Sequence, residues 1–342
     1  PYSESSKITL TEGKGKFTML VRYPGWVKPG EFSVTVNGEQ VPLISGPSSY
    51  VAIDRKWKKN DVIELTFPMH NSVKYLPNVP QYIALMHGPI MLGMKTGTED
   101  MAHLIADDSR FGQYASGKKL STDQAPILIN NDIESIANQL QPIPGKPLHF
   151  TLTTRMENPI HNELQPFFEI HDSRYMMYWL ALSENNYKGH LAQLAKAEQE
   201  RQALEASTID KVQPGEQQPE TDHRMETDQS FTGNTNDCFW RDANDGHYFS
   251  YLMQTQGQEN IALRLKYWGV GEWKSHEFDI FVDDVLVKSV NNTGKYRISE
   301  FKYEVYDIPA ELLKGKTQVR VKFVAKPGKQ IGEIYEVRLI NK

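Results

Sequence analysis

The stretch FTGNTNDCFWRDANDGHYFSYLM, residues 231–253, holds the residue types most able to do chemistry. It contains the chain's one cysteine, Cys238, close to Trp240, Arg241, Asp242, Asp245 and His247. A nucleophilic mechanism needs a Ser or Cys beside a base and an orienting acid. Cys238 has His223 and His247 in the same region, so a Cys–His pair is conceivable there. A lone Cys flanked by Phe239 and Trp240 is more often a small apolar packing residue, and no G-x-S-x-G elbow or Gly-rich phosphate loop occurs elsewhere.

Metal chemistry divides by ligand type. Zinc needs three or four nitrogen or sulfur ligands at recognisable spacing; one cysteine and 10 scattered histidines provide no such set. Calcium prefers oxygen ligands, and NTNDCFWRDANDG is rich in Asn and Asp. Asp237, Asp242 and Asp245 are therefore the candidate ligands of a structural calcium, although polar turns share this composition. No other cofactor is expected. Paired carboxylates could hydrolyse a glycosidic bond, but 43 acidic residues single out no pair. Asp54, Arg55 and Trp57 in AIDRKWKKND read as a strand end and turn with Trp57 in the core.

Sugar binding is the remaining chemistry: aromatic faces stack on sugar C–H surfaces while Asp, Asn and Arg take the hydroxyls. Among 6 Trp and 16 Tyr, Tyr267, Trp268 and Trp273 gather at a strand–loop junction and are the candidate carbohydrate-binding residues. The same aromatics would also fill a core.

The elements that must position these residues are mostly strands. In KFTMLVRYP, Phe17, Met19 and Val21 alternate with Thr18, Leu20 and Arg22. FSVTVNGEQV turns at Asn37-Gly38, a hairpin signal. Ile63, Leu65 and Phe67 keep step in the next strand. PQYIALMHGPIMLGM, residues 80–94, is an apolar strand pair interrupted at Gly88-Pro89, and 96–147 is irregular and polar. Strand patterns resume at LHFTLTT and SRYMMYWLALS. KGHLAQLAKAEQERQALEA, residues 188–206, is rich in good helix formers and carries only a thin apolar stripe: Leu191, Leu194, Ala195 and Leu204. VQPGEQQPETDH, residues 212–223, reads as a polar linker. Beyond it NIALRLKYWG, SHEFDIFVDDVLV and TQVRVKFVAK alternate cleanly, Val319, Val321 and Phe323 opposing Arg320 and Lys322. The expected fold is mainly β, with two or three antiparallel sandwich or jelly-roll units and one connecting helix. The expected domains are 1–75, 76–187, a helix and linker at 188–223, and a jelly roll of galactose-binding type at 224–342.

Composition bounds the function. With 38 basic and 43 acidic residues, net charge −5, the chain lacks a broad basic field for nucleic acid. No apolar run reaches the ~20 residues that cross a bilayer. One cysteine excludes an internal disulfide. The start, Pro-Tyr-Ser-Glu, suits a processed or excised piece.

Several stretches together resemble a known family. MLVRYPGWV, FSVTVNGEQV, YVAIDRKWKKNDVIELTFPM and YIALMHGPIMLG carry the ordered set R-x-P-x-W, V-N-G, Y-x-x-I-x-R-x-W-x-x-x-D and G-P. This set resembles the β-sandwich region of glycoside hydrolase family 127, the β-L-arabinofuranosidase-like family. PFFEIHDSRYMMYWL and the region from DHRMETDQSFTGNTNDCFW to GEIYEVRLIN resemble later segments of longer, Bacteroides-type members, the last being an accessory sandwich. In that family catalysis belongs to an amino-terminal helical barrel with a glutamate and three cysteines around zinc. One cysteine cannot supply three, so the resemblance implies no catalytic residue here. It implies a periplasmic or secreted, non-catalytic part of a hydrolase of plant-type polysaccharide or glycoprotein glycans, partnered by a helical barrel of the same protein. Trp240, Arg241 and Asp242 then become a structural signature, Trp240 as a core plug and Arg241–Asp242 as a hydrogen-bonded pair. Two other readings stay open: a carbohydrate-binding module using Trp268 and Trp273, or a structural interaction domain with an exposed docking face.

Overall fold

The computed structural model describes residues 2–101, 122–235, 237–269 and 276–342. The chain is mainly β and divides into two units, Pro1–Gln193 and Leu194–Lys342.

The first unit opens with a small sandwich. A four-stranded sheet runs in the order Ser5–Thr9, Val62–Thr66, Ser33–Val36, Glu39–Gln40, and a two-stranded ribbon pairs Gly15–Tyr23 with Ser49–Trp57. The two share a core built on alternate residues, among them Val21, Val34, Val51, Ile53, Trp57 and Ile63. Such alternation follows from successive side chains pointing to opposite faces of a strand. The Asn37-Gly38 hairpin forms with φ of 52° and 85°, the double positive φ that a tight two-residue turn demands. Trp57 is fully buried, and its Nε1 donates to the Phe17 carbonyl at 3.0 Å. Neighbouring Asp54 is exposed on the opposite face.

A ten-stranded sheet follows in the same unit, its centre formed by the Val79–His87 and Ile90–Gly97 hairpin. All its pairings are antiparallel except that of Ile127–Ile129 with Trp179–Leu182. Ile83, Leu85, Leu92, Met94, Leu128 and Trp179 form its fully buried centre.

The helix is longer than its composition suggested, Glu184–Ser207, with no buried residue. Its earlier start has a local cause. The Ser183 hydroxyl accepts the Asn186 N–H at 3.2 Å, an N-cap contact that satisfies one of the orphan donors of the first turn.

The second unit is a sandwich with one core. One sheet runs Phe231–Thr235, Cys238–Asp242, Ile334–Asn341, Ile261–Trp268, Phe301–Asp307, with Thr208–Val212 also pairing with Ile334–Asn341. The other runs Glu226–Thr227, Tyr248–Gln254, Gln318–Ala325, Glu277–Val282, Val285–Asn291. Between them lie Phe249, Tyr251, Met253, Val319, Val321 and Phe323, the alternating sets legible in the sequence. The stretch expected to be a free linker is part of this fold. Thr208–Val212 is a sheet strand, and Gln217–Asp222 is a short helix whose Glu220 is buried. Polar composition concealed this, because one of the buried residues there, Glu220, is a charged one held by a distant partner.

Candidate functional site

The cysteine-bearing stretch folds as a hairpin. Phe231–Thr235 pairs with Cys238–Asp242 in register from Phe231↔Asp242 to Thr235↔Cys238. Asp237 sits at the turn with φ 60°. Trp240 is half-buried rather than a core plug. Its ring lies over Gly233, where an added Cβ would stand 2.3 Å from the indole, and its Nε1 donates to Thr235 Oγ1 at 3.2 Å. Glycine at 233 is what lets the indole lie flat across its own hairpin.

Arg241 and Asp242 are both buried but are not each other's partner. Adjacent residues on a strand point to opposite faces, so each finds a different one. The Arg241 guanidinium meets Glu220 through Nε and Nη2, both at 2.6 Å, and donates from Nη1 to Ser230 Oγ at 2.6 Å. Glu220 also accepts from the Gly215 N–H and the Tyr251 hydroxyl, each at 2.8 Å. Burial pushes the Glu220 carboxyl up, but the hydrogen bonds from Arg241, Gly215 and Tyr251 outweigh it and hold it below the ordinary carboxylate range. Burial drives the Tyr251 hydroxyl well above its usual value. Asp242 accepts from the Gly332 N–H at 3.0 Å. Such a bidentate, doubly braced pair fixes geometry; removing one member would leave an unpaired buried charge, at about 3–5 kcal/mol.

The Cys–His pair does not form. His247 Nδ1 meets Asp228 at 2.9 Å. His223 is engaged at both ring nitrogens, by Asp210 at 3.0 Å and the Pro219 carbonyl at 2.6 Å. Cys238 Sγ lies 3.8 Å from Lys266 Nζ. The three aspartates occupy different local settings. Asp237 sits at the hairpin turn and Asp242 at the opposite end of the Cys238–Asp242 strand. Asp245 caps a separate turn, accepting from the Gly328 N–H at 2.8 Å. Among the described residues no group of three or more His, Cys, Asp or Glu side chains is placed to hold a metal ion.

Of the aromatics read as sugar-binding, Trp273 lies outside the described residues. Tyr267 is buried and its hydroxyl meets that of Tyr306 at 3.2 Å, so it faces the core, not a ligand. Trp268 is half-buried on the other face of the same strand, edge-on to Phe301 with centroids 4.9 Å apart. That outer face is already occupied by cations. Lys266 Nζ sits 3.8 Å from the Phe301 centroid, and the Arg264 guanidinium 4.0 Å from that of Tyr303.

Sequence reasoning missed a cleft of about 520 Å³ on the same sandwich. Its walls are Val285–Asn291 and Phe301–Asp307, each pairing on one side alone with a described strand. They are edge strands of opposite sheets, so unpaired backbone donors and acceptors border the opening. Lys295 Nζ and the Tyr296 hydroxyl both donate to Glu304 Oε1, the former at 2.7 Å. Burial raises the Glu304 carboxyl, yet the Lys295 and Tyr296 contacts more than offset it and leave it lowered. Tyr306, pushed up to about 12 by burial, stays a neutral hydroxyl. Asn292 borders this cleft at 6% exposure; its amide oxygen and nitrogen are both enclosed by the protein and have no hydrogen-bond partner among the described residues. A buried polar group without a partner costs about 1–3 kcal/mol. The signal for this site in sequence is weak: a polar turn, NNTGK, leading to an alternating strand, FKYEVYD.

Three family models match the chain. Residues 1–69 match the middle domain of GH127 β-L-arabinofuranosidases, 72–181 match the domain of unknown function DUF4986, and 203–340 match DUF6805, a family of unknown function. Among solved structures, a GH127 β-arabinofuranosidase is similar at 20% identity over 53% of this chain and 30% of that one, TM-score 0.34. A GH127 β-L-arabinofuranosidase from Geobacillus stearothermophilus T6 is similar at 18% identity over 53% and 29%, TM-score 0.33. A family 35 carbohydrate-binding module from Clostridium thermocellum is similar at 11% identity over 34% of this chain and 92% of that one, TM-score 0.28. This chain thus spans about three tenths of the length of the glycoside hydrolases it matches. No curated protein matches it. The first β-sandwich, residues 1–69, is thus similar to the middle domain of GH127 β-L-arabinofuranosidases, and the two regions that follow it match families of unknown function.

Proposed function

We propose that this chain is the non-catalytic, β-rich part of a GH127-type glycoside hydrolase that acts outside the cytoplasm on arabinofuranose-bearing plant-type glycans. Its role is to brace a helical catalytic barrel of the same protein and to shape the rim of its substrate cleft. The observation that carries this reading is the GH127 middle-domain match over residues 1–69. The site chemistry agrees with it. Cys238 is the one cysteine, His223 and His247 are each taken by an aspartate, and Arg241 is spent on a buried structural pair. None of these groups is left as a nucleophile–base pair, which acyl or glycosyl transfer through a cysteine requires.

The test uses the 342-residue chain with an aryl β-L-arabinofuranoside, with and without added zinc. No release of the aryl alcohol is expected in either case. The same chain, added to or fused behind a GH127 helical barrel, is expected to raise that barrel's melting temperature. Zinc-dependent hydrolysis by the chain alone would refute the non-catalytic assignment, and a barrel indifferent to the chain would refute the bracing role.

A further inference from the structure

We infer that a groove in the first unit, between the opening turns of the Glu184–Ser207 helix and the Trp179–Leu182 strand, binds an uncharged, hydroxyl-rich ligand, a glycan segment of one or two sugar residues. The inference rests on the accessory role proposed above only for the choice of sugars to test.

The groove has a volume of about 500 Å³, within the range of small-ligand sites, roughly 300–1,000 Å³. It lies wholly within Pro1–Gln193. Its floor is a patch of sheet. Leu180 stands directly across from Tyr82 in register, and Leu182 follows on the same face of its strand. All three are half-buried, whereas Trp179 and Ala181 on the other face belong to the core. Such a floor suits the C–H surface of a sugar ring.

Carboxamides surround that floor. Gln81 comes from the Val79–His87 strand, and Asn185, Asn186 and Gln193 come from the helix, where their spacing keeps them within an arc of about 100°. All four are exposed, and among the described residues none of their side-chain amides has a hydrogen-bond partner. A carboxamide offers a donor and an acceptor side by side, and two neighbouring hydroxyls of a sugar match both at once. No Asp, Glu, Lys or Arg lines the groove. On the helix, Glu184 and Lys188 fall outside the arc of the amides, and Glu184 pairs with Arg155 at 2.7 Å. Lys196, about one turn beyond Gln193, meets Glu200 at 3.8 Å.

Gly189 points the same way. Glycine is the poorest helix former after proline, yet this one sits inside the helix with open space where a Cβ would stand. No close neighbour requires it. It lines the groove, and a side chain there would project among the carboxamides, into the opening.

Isothermal titration calorimetry of the full chain with neutral arabino- and xylo-oligosaccharides of defined length tests this. Oligogalacturonate serves as the acidic counterpart that a protonated His190, which also lines the groove, would favour. The variants are Gly189→Ala, Gly189→Trp, and Gln81→Leu combined with Gln193→Leu. The expected result is saturable binding of a neutral oligosaccharide, within threefold of the parent in Gly189→Ala and at least tenfold weaker in Gly189→Trp, with neither melting temperature below the parent's. The double variant is also expected to bind at least tenfold more weakly. Binding that survives Gly189→Trp places the sugar elsewhere, and binding that survives the double variant removes the carboxamide grip; either overturns the assignment and leaves the accessory role standing. Absence of binding to the neutral sugars, or tighter binding of oligogalacturonate, overturns the uncharged-glycan assignment. The arabinofuranoside and barrel measurements judge the accessory role independently.

Discussion

The C-terminal sandwich contains two polar clusters of opposite design. Around Glu220 four donors converge: two from Arg241 and one each from Gly215 and Tyr251. Around Asn292 the amide is buried with no partner among the described residues. A closed network holds geometry because any change leaves a charge stranded. An unmet buried amide instead costs stability, about 1–3 kcal/mol. Chemical richness of sequence therefore misleads here: in the crowded stretch around Cys238, Arg241 serves a buried structural pair.

The sharpest way to break this contrast is Arg241→Ala. It should cost about 3–5 kcal/mol by urea denaturation, since it strands Glu220 in the interior. The double change Arg241→Met with Glu220→Leu should recover most of that loss. An unchanged midpoint in the single variant would mean that the pair does not anchor the fold. Acid sharpens the same point. Because the Glu220 carboxyl is held below its ordinary value, its contribution is present above the unfolded-state value and is lost as pH falls through the lowered one. The double variant should lack that part of the acid sensitivity.

Next in size is Gly233→Ala. Its new methyl meets the Trp240 ring at 2.3 Å and should cost about 1–3 kcal/mol, with a changed tryptophan emission as the ring is lifted. His223→Gln follows, at about 1 kcal/mol. The Asp210 carboxylate, opposed by burial and aided by the Pro219 carbonyl, raises the His223 value above normal. Its stabilisation is therefore complete below the unfolded-state value and fades as pH rises through the raised one. The gap between wild type and variant in thermal melts should narrow from pH 6 toward alkaline pH, and a gap that widens would invert the assignment. The smallest effect is that of Asn292→Leu on stability: no loss, or a gain of up to about 1 kcal/mol.

Much of the architecture was legible because strand burial is periodic. Val319, Val321 and Phe323 face the core, as does Trp57, and Asn37-Gly38 turns where its residue types require. The partners of buried charge were not legible. Arg241 lies beside Asp242 in sequence, yet a strand turns neighbours to opposite faces and delivers the guanidinium to Glu220, 21 residues upstream. Glu220 itself was hidden in a stretch whose Pro and Gln composition resembles a linker. The cleft escaped because its two walls belong to different sheets, a juxtaposition no local pattern announces.

The Glu184–Ser207 helix carries a separate consequence. With no buried residue, it draws its side-chain support from exposed contacts such as Glu198 with Arg201 and Lys196 with Glu200, each worth only a few tenths of a kcal/mol. The division between the two units falls inside it, after Gln193. Among the described segments it is accordingly one where a protease with basic specificity should nick the native chain, at Lys196 or Arg201, giving an amino-terminal and a carboxy-terminal piece that each contain their own core.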